Sequence, residues 1–247
     1  MRILITGAGG LVGRALVARG ATGLNRAALD VTQPDQLQAA ITRYQPDAVI
    51  FCAAIANVDA CATDPRARAV NVEAPATCAR LVPTWLVSTN YVFDGAGPHL
   101  TDGPRRPVNA YGRLKVEAED AVLDAGGHVV RTGWVYGPGG RNYPSRIGAL
   151  LRAGPVTALA GWPVQPTWVG DLAERLLTLP EGVSHAIGRE ETTWLEFSLT
   201  AQRLLGLAGR VVAADALPVG PRPSDARLAG ADLPGWSGRL AGHLGVG

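Results

Sequence analysis

Apolar residues in the first half of the chain fall into short runs that alternate with stretches of helical spacing. Runs at 2–6, 47–53, 84–88 and 128–131, with a shorter one at Thr22–Leu24, are rich in Val, Ile and Leu and bounded by turn residues, so they predict buried strands. Stretches at 11–19, 34–44, 65–81 and 110–123 place apolar residues three and four positions apart and predict helices. Strand and helix in alternation imply right-handed βαβ units, hence a parallel sheet with helices on both faces. Beyond about residue 137 the pattern loosens into Pro- and Gly-rich connections, with helices expected at 144–152, 169–179 and 194–207.

The first strand runs directly into glycines. Gly7, Gly10 and Gly13 follow a GxxGxxG spacing, and Gly9, Leu11 and Val12 complete a strand–turn–helix junction. Such glycines let the backbone turn tightly, approach a pyrophosphate and pack the new helix on the strand. A glycine triplet alone is weak, but its place after a buried strand is the context that confirms a dinucleotide site. The expected fold class is therefore α/β, a Rossmann-type doubly wound parallel sheet over residues 1–140. A small C-terminal substrate lobe is expected over 141–247, interleaved with the last sheet strands.

Two further strings carry candidate chemistry. Tyr111 and Lys115 lie four residues apart at the mouth of the predicted 110–123 helix, on one face. A phenol has a pKa of about 10 and a neighbouring ammonium favours its phenolate form, which makes the pair a proton-transfer candidate. Taken alone, the spacing is as readily a solvated helical face. Ser88 and Thr89 end the third long strand, where an open α/β sheet binds its ligands, and they supply the hydroxyl that a carbonyl-reducing site needs.

These strings, in this order, resemble the extended short-chain dehydrogenases/reductases and, within them, the dTDP-4-dehydrorhamnose reductase group. The resemblance runs from Met1 to about Leu228. It includes Leu29-Asp30-Val31-Thr32, Asn57-Val58-Asp59, Val70-Asn71-Val72, Arg131 to Gly137, Pro166 to Ala173 and Arg222 to Leu228. It implies hydride transfer from a nicotinamide to a ketone, with Tyr111 giving its proton to the developing alkoxide. Thr89 would bond the same oxygen, and Lys115 would hold the nicotinamide ribose and lower the tyrosine pKa. It also implies that Asp30 and Val31 flank the adenine, that Cys52, Ala53 and Ala54 line the path to the nicotinamide, and that Asn71 and Ser88 contribute to the cofactor site. Asn25-Arg26 follows the second strand with no acid before Asp30, which favours NADPH over NADH.

The implied substrate is a nucleotide-linked 4-keto-6-deoxy sugar. Arg141, Arg146 and Arg222 are candidate diphosphate clamps, and Trp134, Trp162 and Trp168 candidate walls, although arginines are commonly solvated and tryptophans commonly core. Ser88, Asn90, Gln165 and Thr167 complete the candidate substrate set. Asn90 stands where the family usually has aspartate, and the C-terminal half is shorter than in typical members. Both departures bear on substrate identity rather than reaction class. An epimerase or dehydratase on the same site, a reductase of another ketone, and a non-catalytic NADP-binding regulatory subunit stay open.

Composition narrows the classes further. At 247 residues and 47% hydrophobic content the chain can bury a large core. A net charge of +2 gives no nucleic-acid surface, and Arg105-Arg106 between prolines reads as loop. Three cysteines and four scattered histidines show no zinc spacing, so no metal is expected. The apolar run at 48–56 is far shorter than the roughly 20 residues a spanning helix needs. A cytoplasmic protein without membrane contact is expected, and the resemblance adds a homodimer.

Overall fold

The computed structural model describes residues 1–216 and 220–246; positions 217–219 and 247 of the expected 141–247 lobe lie outside them. The chain begins β1 (Ile3–Thr6), α1 (Leu11–Val17), β2 (Thr22–Leu24), α2 (Pro34–Tyr44), β3 (Ala48–Phe51), α3 (Ala74–Leu81), β4 (Thr84–Thr89), α4 (Ala110–Asp124) and β5 (His128–Thr132). It continues β6 (Val135–Tyr136), α5 (Tyr143–Ala153), β7 (Val156–Leu159), β8 (Pro163–Val164), β9 (Thr167–Trp168) and α6 (Val169–Leu177). The last elements are β10 (Val183–His185), β11 (Thr192–Thr193), α7 (Trp194–Leu204), β12 (Val211–Ala214) and α8 (Ser237–Leu244).

Six parallel strands form the main sheet in the order β2-β1-β3-β4-β5-β10. The order reverses at β1, because α1 carries the chain outward to β2 while β3 starts the run in the opposite direction. A switch point of this kind leaves a crevice beyond the carboxyl ends of β1 and β3. Successive strand side chains point to opposite faces, so each strand feeds two cores. Leu4 and Val49 pack with Leu37, Cys78 and Val122 on one face; Ile5 and Ile50 pack with Leu16, Leu172 and Leu176 on the other. Both β10 and α6 come from the second half of the chain yet complete this first sheet, α6 against α1. A separate cluster of Tyr136, Ile147, Leu151, Phe197, Trp236 and Leu240 holds the remaining lobe together.

Several boundaries differ from expectation for identifiable reasons. The predicted 65–81 helix is a π turn at Ala69–Glu73 followed by α3. Pro75 has no N–H to donate to the Asn71 carbonyl, so the first turn widens. Helices α1, α6 and α7 stop short of 19, 179 and 207, ahead of Gly20, Leu179 and Gly206, all at positive φ. The pairs β6/β9, β7/β12 and β8/β11 were not anticipated, because two to four residues are too few to display alternation. Helix α8 is masked in the sequence by glycines at 238 and 242, which weaken any helical pattern.

One buried charge cluster joins β4, β5 and α4. The fully buried Glu119 accepts from Ser88 Oγ (2.5 Å), Arg131 Nε (3.0 Å) and Nη2 (2.8 Å), and Arg105 Nη1 (3.2 Å). Arg131 also donates to the Thr101 carbonyl and lies over the Phe93 ring. Arg105, expected only as loop, is thus tied to the core. Removing one partner of a buried pair strands the other charge, so Glu119→Ala should lower stability by about 3–5 kcal/mol. Urea unfolding followed by tryptophan fluorescence measures this, and a loss below about 1 kcal/mol would contradict the network's structural role.

Candidate active site

The glycine turn is dictated by close approach. Gly7 has φ +68, and a Cβ there would lie 2.7 Å from both Ala53 N and Cα. A Cβ on Gly13 would lie 2.4 Å from the Gly7 carbonyl oxygen, so α1 cannot pack on β1 with any larger residue. Gly9 and Gly10 are less constrained, with nearest contacts of 3.7 and 3.3 Å. Gly10 precedes α1 without a side-chain cap, so the amides of Leu11, Val12 and Gly13 lack intrahelical acceptors and face the crevice mouth. Arg14 locks the turn by donating to the Gly9 (2.5 Å) and Gly139 (2.8 Å) carbonyls.

A cleft of about 220 Å³ opens from this turn. Gly7 and Gly10, Leu29 to Thr32, Cys52 to Ile55, Arg26, Arg66 and Val70 line it. Its glycine turn next to an uncapped helix start fits the phosphates of a dinucleotide. Leu29, Thr32 and Val70 lie within the strings Leu29-Asp30-Val31-Thr32 and Val70-Asn71-Val72 without having been expected as cofactor residues, Ile55 follows the Cys52-Ala53-Ala54 string, and Arg66 lies in the stretch expected as helix. Asn25 acts on the turn itself, its Oδ1 accepting from the Ala27 (3.0 Å) and Ala28 (3.1 Å) amides. Asp30 Oδ1 accepts from Thr32 N (3.0 Å) and Oγ1 (2.7 Å), which holds its carboxyl below the usual range. Val31 is buried beside it.

Asn71 is buried, and its amide clamps the cleft residue Ile55, accepting from Ile55 N (2.8 Å) and donating to Ile55 O (3.1 Å). Burial pushes the Cys52 thiol up to about 12, opposed by the Lys115 charge.

The reactive corner forms where β4 ends and α4 begins. Asn109 caps α4, its Oδ1 accepting from Gly112 N (2.8 Å). A Cβ on Gly112 would lie 2.1 Å from the Tyr91 carbonyl oxygen, so this glycine lets α4 start hard against the turn after Thr89. Tyr111 is half-buried there, edge-on to Tyr91 with ring centroids 6.3 Å apart. Burial raises the Tyr111 phenol pKa, with Cys61 and Tyr91 nearby adding to the rise and the neighbouring Thr89 hydroxyl opposing it.

Lys115 is only 2% exposed, donates to the Val87 carbonyl (2.8 Å), and burial brings its own pKa down to about 8 against the pull of Glu119. The Ser88 hydroxyl donates to Glu119, and Thr89 is the strand-end hydroxyl at the corner.

Two of the expected substrate residues, Asn90 and Gln165, hold a C-terminal segment. Asn90 Nδ2 donates to Ala226 O (2.9 Å), and Gln165 brackets Leu228, accepting from its N (2.8 Å) and donating to its O (3.2 Å). Thr167 is buried, donating to Gln165 O and accepting from Gly188 N. Arg222 makes a fork with Asp59 at 3.0 and 2.8 Å. Asn109 Nδ2 adds a bond to Pro221 O (3.1 Å). Trp134 packs in an aromatic group with Tyr143, Trp194 and Phe197, and Trp168 packs against Tyr136 and His243. Arg141 and Arg146 are exposed, and Trp162 is half-buried. Among the described residues no group of three or more His, Cys, Asp or Glu is placed to hold a metal, and no helix is long and apolar enough to cross a membrane.

Comparison with known proteins finds relatives over most of the chain. A probable dTDP-4,6-dihydroxy-2-methyloxan-3-one 4-ketoreductase of Streptomyces antibioticus is 38% identical over 83% of this chain and 77% of that protein. A dTDP-4-dehydrorhamnose reductase of Streptomyces griseus is 39% identical over 83% of this chain and 76% of its own length. The fold matches the crystal structure of a dTDP-4-dehydrorhamnose reductase from Bacillus anthracis in complex with NADP, with a TM-score of 0.90, 24% identity and 98% coverage of both chains. The model of the RmlD substrate binding domain matches residues 1–235, and the chain belongs to that family.

Proposed function

We propose that the protein is an NADPH-dependent reductase of the 4-keto group of a dTDP-linked 6-deoxy sugar. The observation that carries this reading is the meeting of Thr89 and Tyr111 where β4 and α4 join, with the buried Lys115 one helical turn further into the same helix. Relatives named as ketoreductases of dTDP-sugars supply the substrate class. NADPH, when bound, supplies a hydride to the ketone carbon. The Thr89 hydroxyl donates a hydrogen bond to the ketone oxygen and Tyr111 gives its proton as that oxygen becomes an alkoxide. The burial that raises the Tyr111 pKa keeps the phenol protonated at neutral pH, so it enters the reaction as an acid. Lys115 binds the nicotinamide ribose hydroxyls, and its contact with Val87 O keeps the ammonium aligned with α4.

On the substrate side, the exposed Arg141 is the cation best placed for the sugar diphosphate, two residues beyond the Gly139 carbonyl that Arg14 holds. Ser88, Gln165, Thr167 and Arg222 act behind the pocket through the segments they fix. Cytoplasmic residence and pairing of two copies belong to this reading as expectations from the resemblance.

Adding a dTDP-4-keto-6-deoxy sugar to the NADPH-loaded protein should oxidise the nicotinamide. Tyr111→Phe should lower kcat by about 10²–10⁴-fold, the usual contribution of a positioned acid, while shifting NADPH affinity far less. Equal turnover by the variant, or none by the wild type with any dTDP-keto sugar, would refute the assignment. A second expectation concerns pH. The folded pKa of Lys115, about 8, lies below its ordinary 10.5, so between these values the unfolded chain binds more protons and this group's contribution to stability rises with pH. Urea unfolding at about pH 7.5 and about pH 10 should therefore show wild type gaining on Lys115→Met at the higher pH.

A further inference from the structure

Two arginines from separate segments line the same cleft. Arg26 follows β2, Arg66 precedes the π turn at Ala69–Glu73, and both line the cleft together with Asp30 and Thr32. We propose that Arg66, acting with Arg26, clamps the 2′-phosphate of the dinucleotide and so sets the choice of NADPH over NADH. The inference rests on the dinucleotide reading of the cleft given above.

Arg66 is held ready for this task. Asp64 accepts from its Nε (3.1 Å) and Nη2 (2.9 Å), and Asp64 Oδ1 also accepts from the Arg66 amide (2.9 Å). That fork fixes the guanidinium plane and leaves Nη1 free to donate, and a fixed planar fork suits a phosphate better than a flexible ammonium does. Arg26 makes no side-chain hydrogen bond among the described residues, so its donors are free as well. The two cations share one neighbourhood: Asp30 and Asp64 each sit close enough to be held down by both guanidinia, after the hydrogen bonds from Thr32 and from Arg66 that dominate them.

The Asp30 carboxylate is also disposed for an anion. In a NAD site the acid after the second strand accepts from the ribose 2′-hydroxyl. Here Asp30 Oδ1 is occupied by the Thr32 amide and hydroxyl, which turns that oxygen into its own loop. A phosphate monoester carries about −1.5 to −2 charges at neutral pH, and would meet two guanidinia beside two carboxylates, of which Asp64 is held by Arg66 and Asp30 Oδ1 by Thr32. A bare 2′-hydroxyl would gain little from either arginine.

Fluorescence titration with NADPH and NADH tests the clamp, supplemented by displacement with 2′,5′-ADP and 5′-AMP. Arg66→Ala should weaken NADPH and 2′,5′-ADP about tenfold, the loss expected for one charge-assisted hydrogen bond to phosphate, and change NADH and 5′-AMP less than about twofold. Arg26→Ala/Arg66→Ala should abolish the discrimination. Weakening of NADPH and NADH by the same factor, or no change in either, would overturn the clamp and leave the reductase reading standing. Failure of the wild type to bind either dinucleotide would overturn both.

Discussion

Helix α4 buries two ionisable side chains on its inner face, Lys115 and Glu119, and most of the site follows from how those charges are accommodated. An isolated charge in a dry interior is too costly to persist, so each must find partners at fixed places. Glu119 takes Ser88, Arg131 and Arg105, which ties α4 across β4 and β5 and reaches into the loop before α4. Lys115 takes the Val87 carbonyl. With two successive turns of α4 anchored to β4 in this way, the helix cannot slide or rotate, and Tyr111 in its first turn is held beside Thr89. The corner thus inherits its precision from electrostatics one and two helical turns away.

The steric counterpart lies on the other side of the switch point. Gly7 and Gly13 let β1, α1 and the loop after β3 touch backbone to backbone, while Gly112 does the same for α4 and the turn after β4. Glycine at these places is demanded by the positions of neighbouring carbonyls and Cα atoms. The cleft opens beside the first of these contacts, between the glycine turn, the loop after β2 and the loop after β3.

The parts legible in the sequence were those encoded locally. Five of the main sheet's strands, the helices around them, the glycine turn and the Tyr111/Lys115 pair all declare themselves within a few residues. What stayed hidden depends on partners far along the chain. Nothing near Gln165 foretells that it brackets Leu228, nothing near Asn71 that it clamps Ile55, and nothing near Arg222 that Asp59 pairs with it. All three stand in recognisable strings; Asn71 and Gln165 are buried and pair with backbone groups, while Arg222 pairs with an exposed carboxylate. The sixth strand β10, three residues long, was unreadable because its identity comes from pairing with β5 rather than from its own pattern.

The segment from Gly220 to Ala229 reaches the corner through Asn109, Asp59, Asn90 and Gln165, the Arg222–Asp59 pair alone spanning 163 residues of chain. A ribosome delivers the glycine turn first and this segment near the end, at a pace slow against the docking of local βαβ units. Closing so long a loop carries an entropic penalty that only the finished sheet can offset, so it belongs to the late stages of folding. During synthesis the nascent chain would therefore own a dinucleotide cleft before it owned a complete reaction corner, an ordering that keeps a half-made protein from exposing competent chemistry.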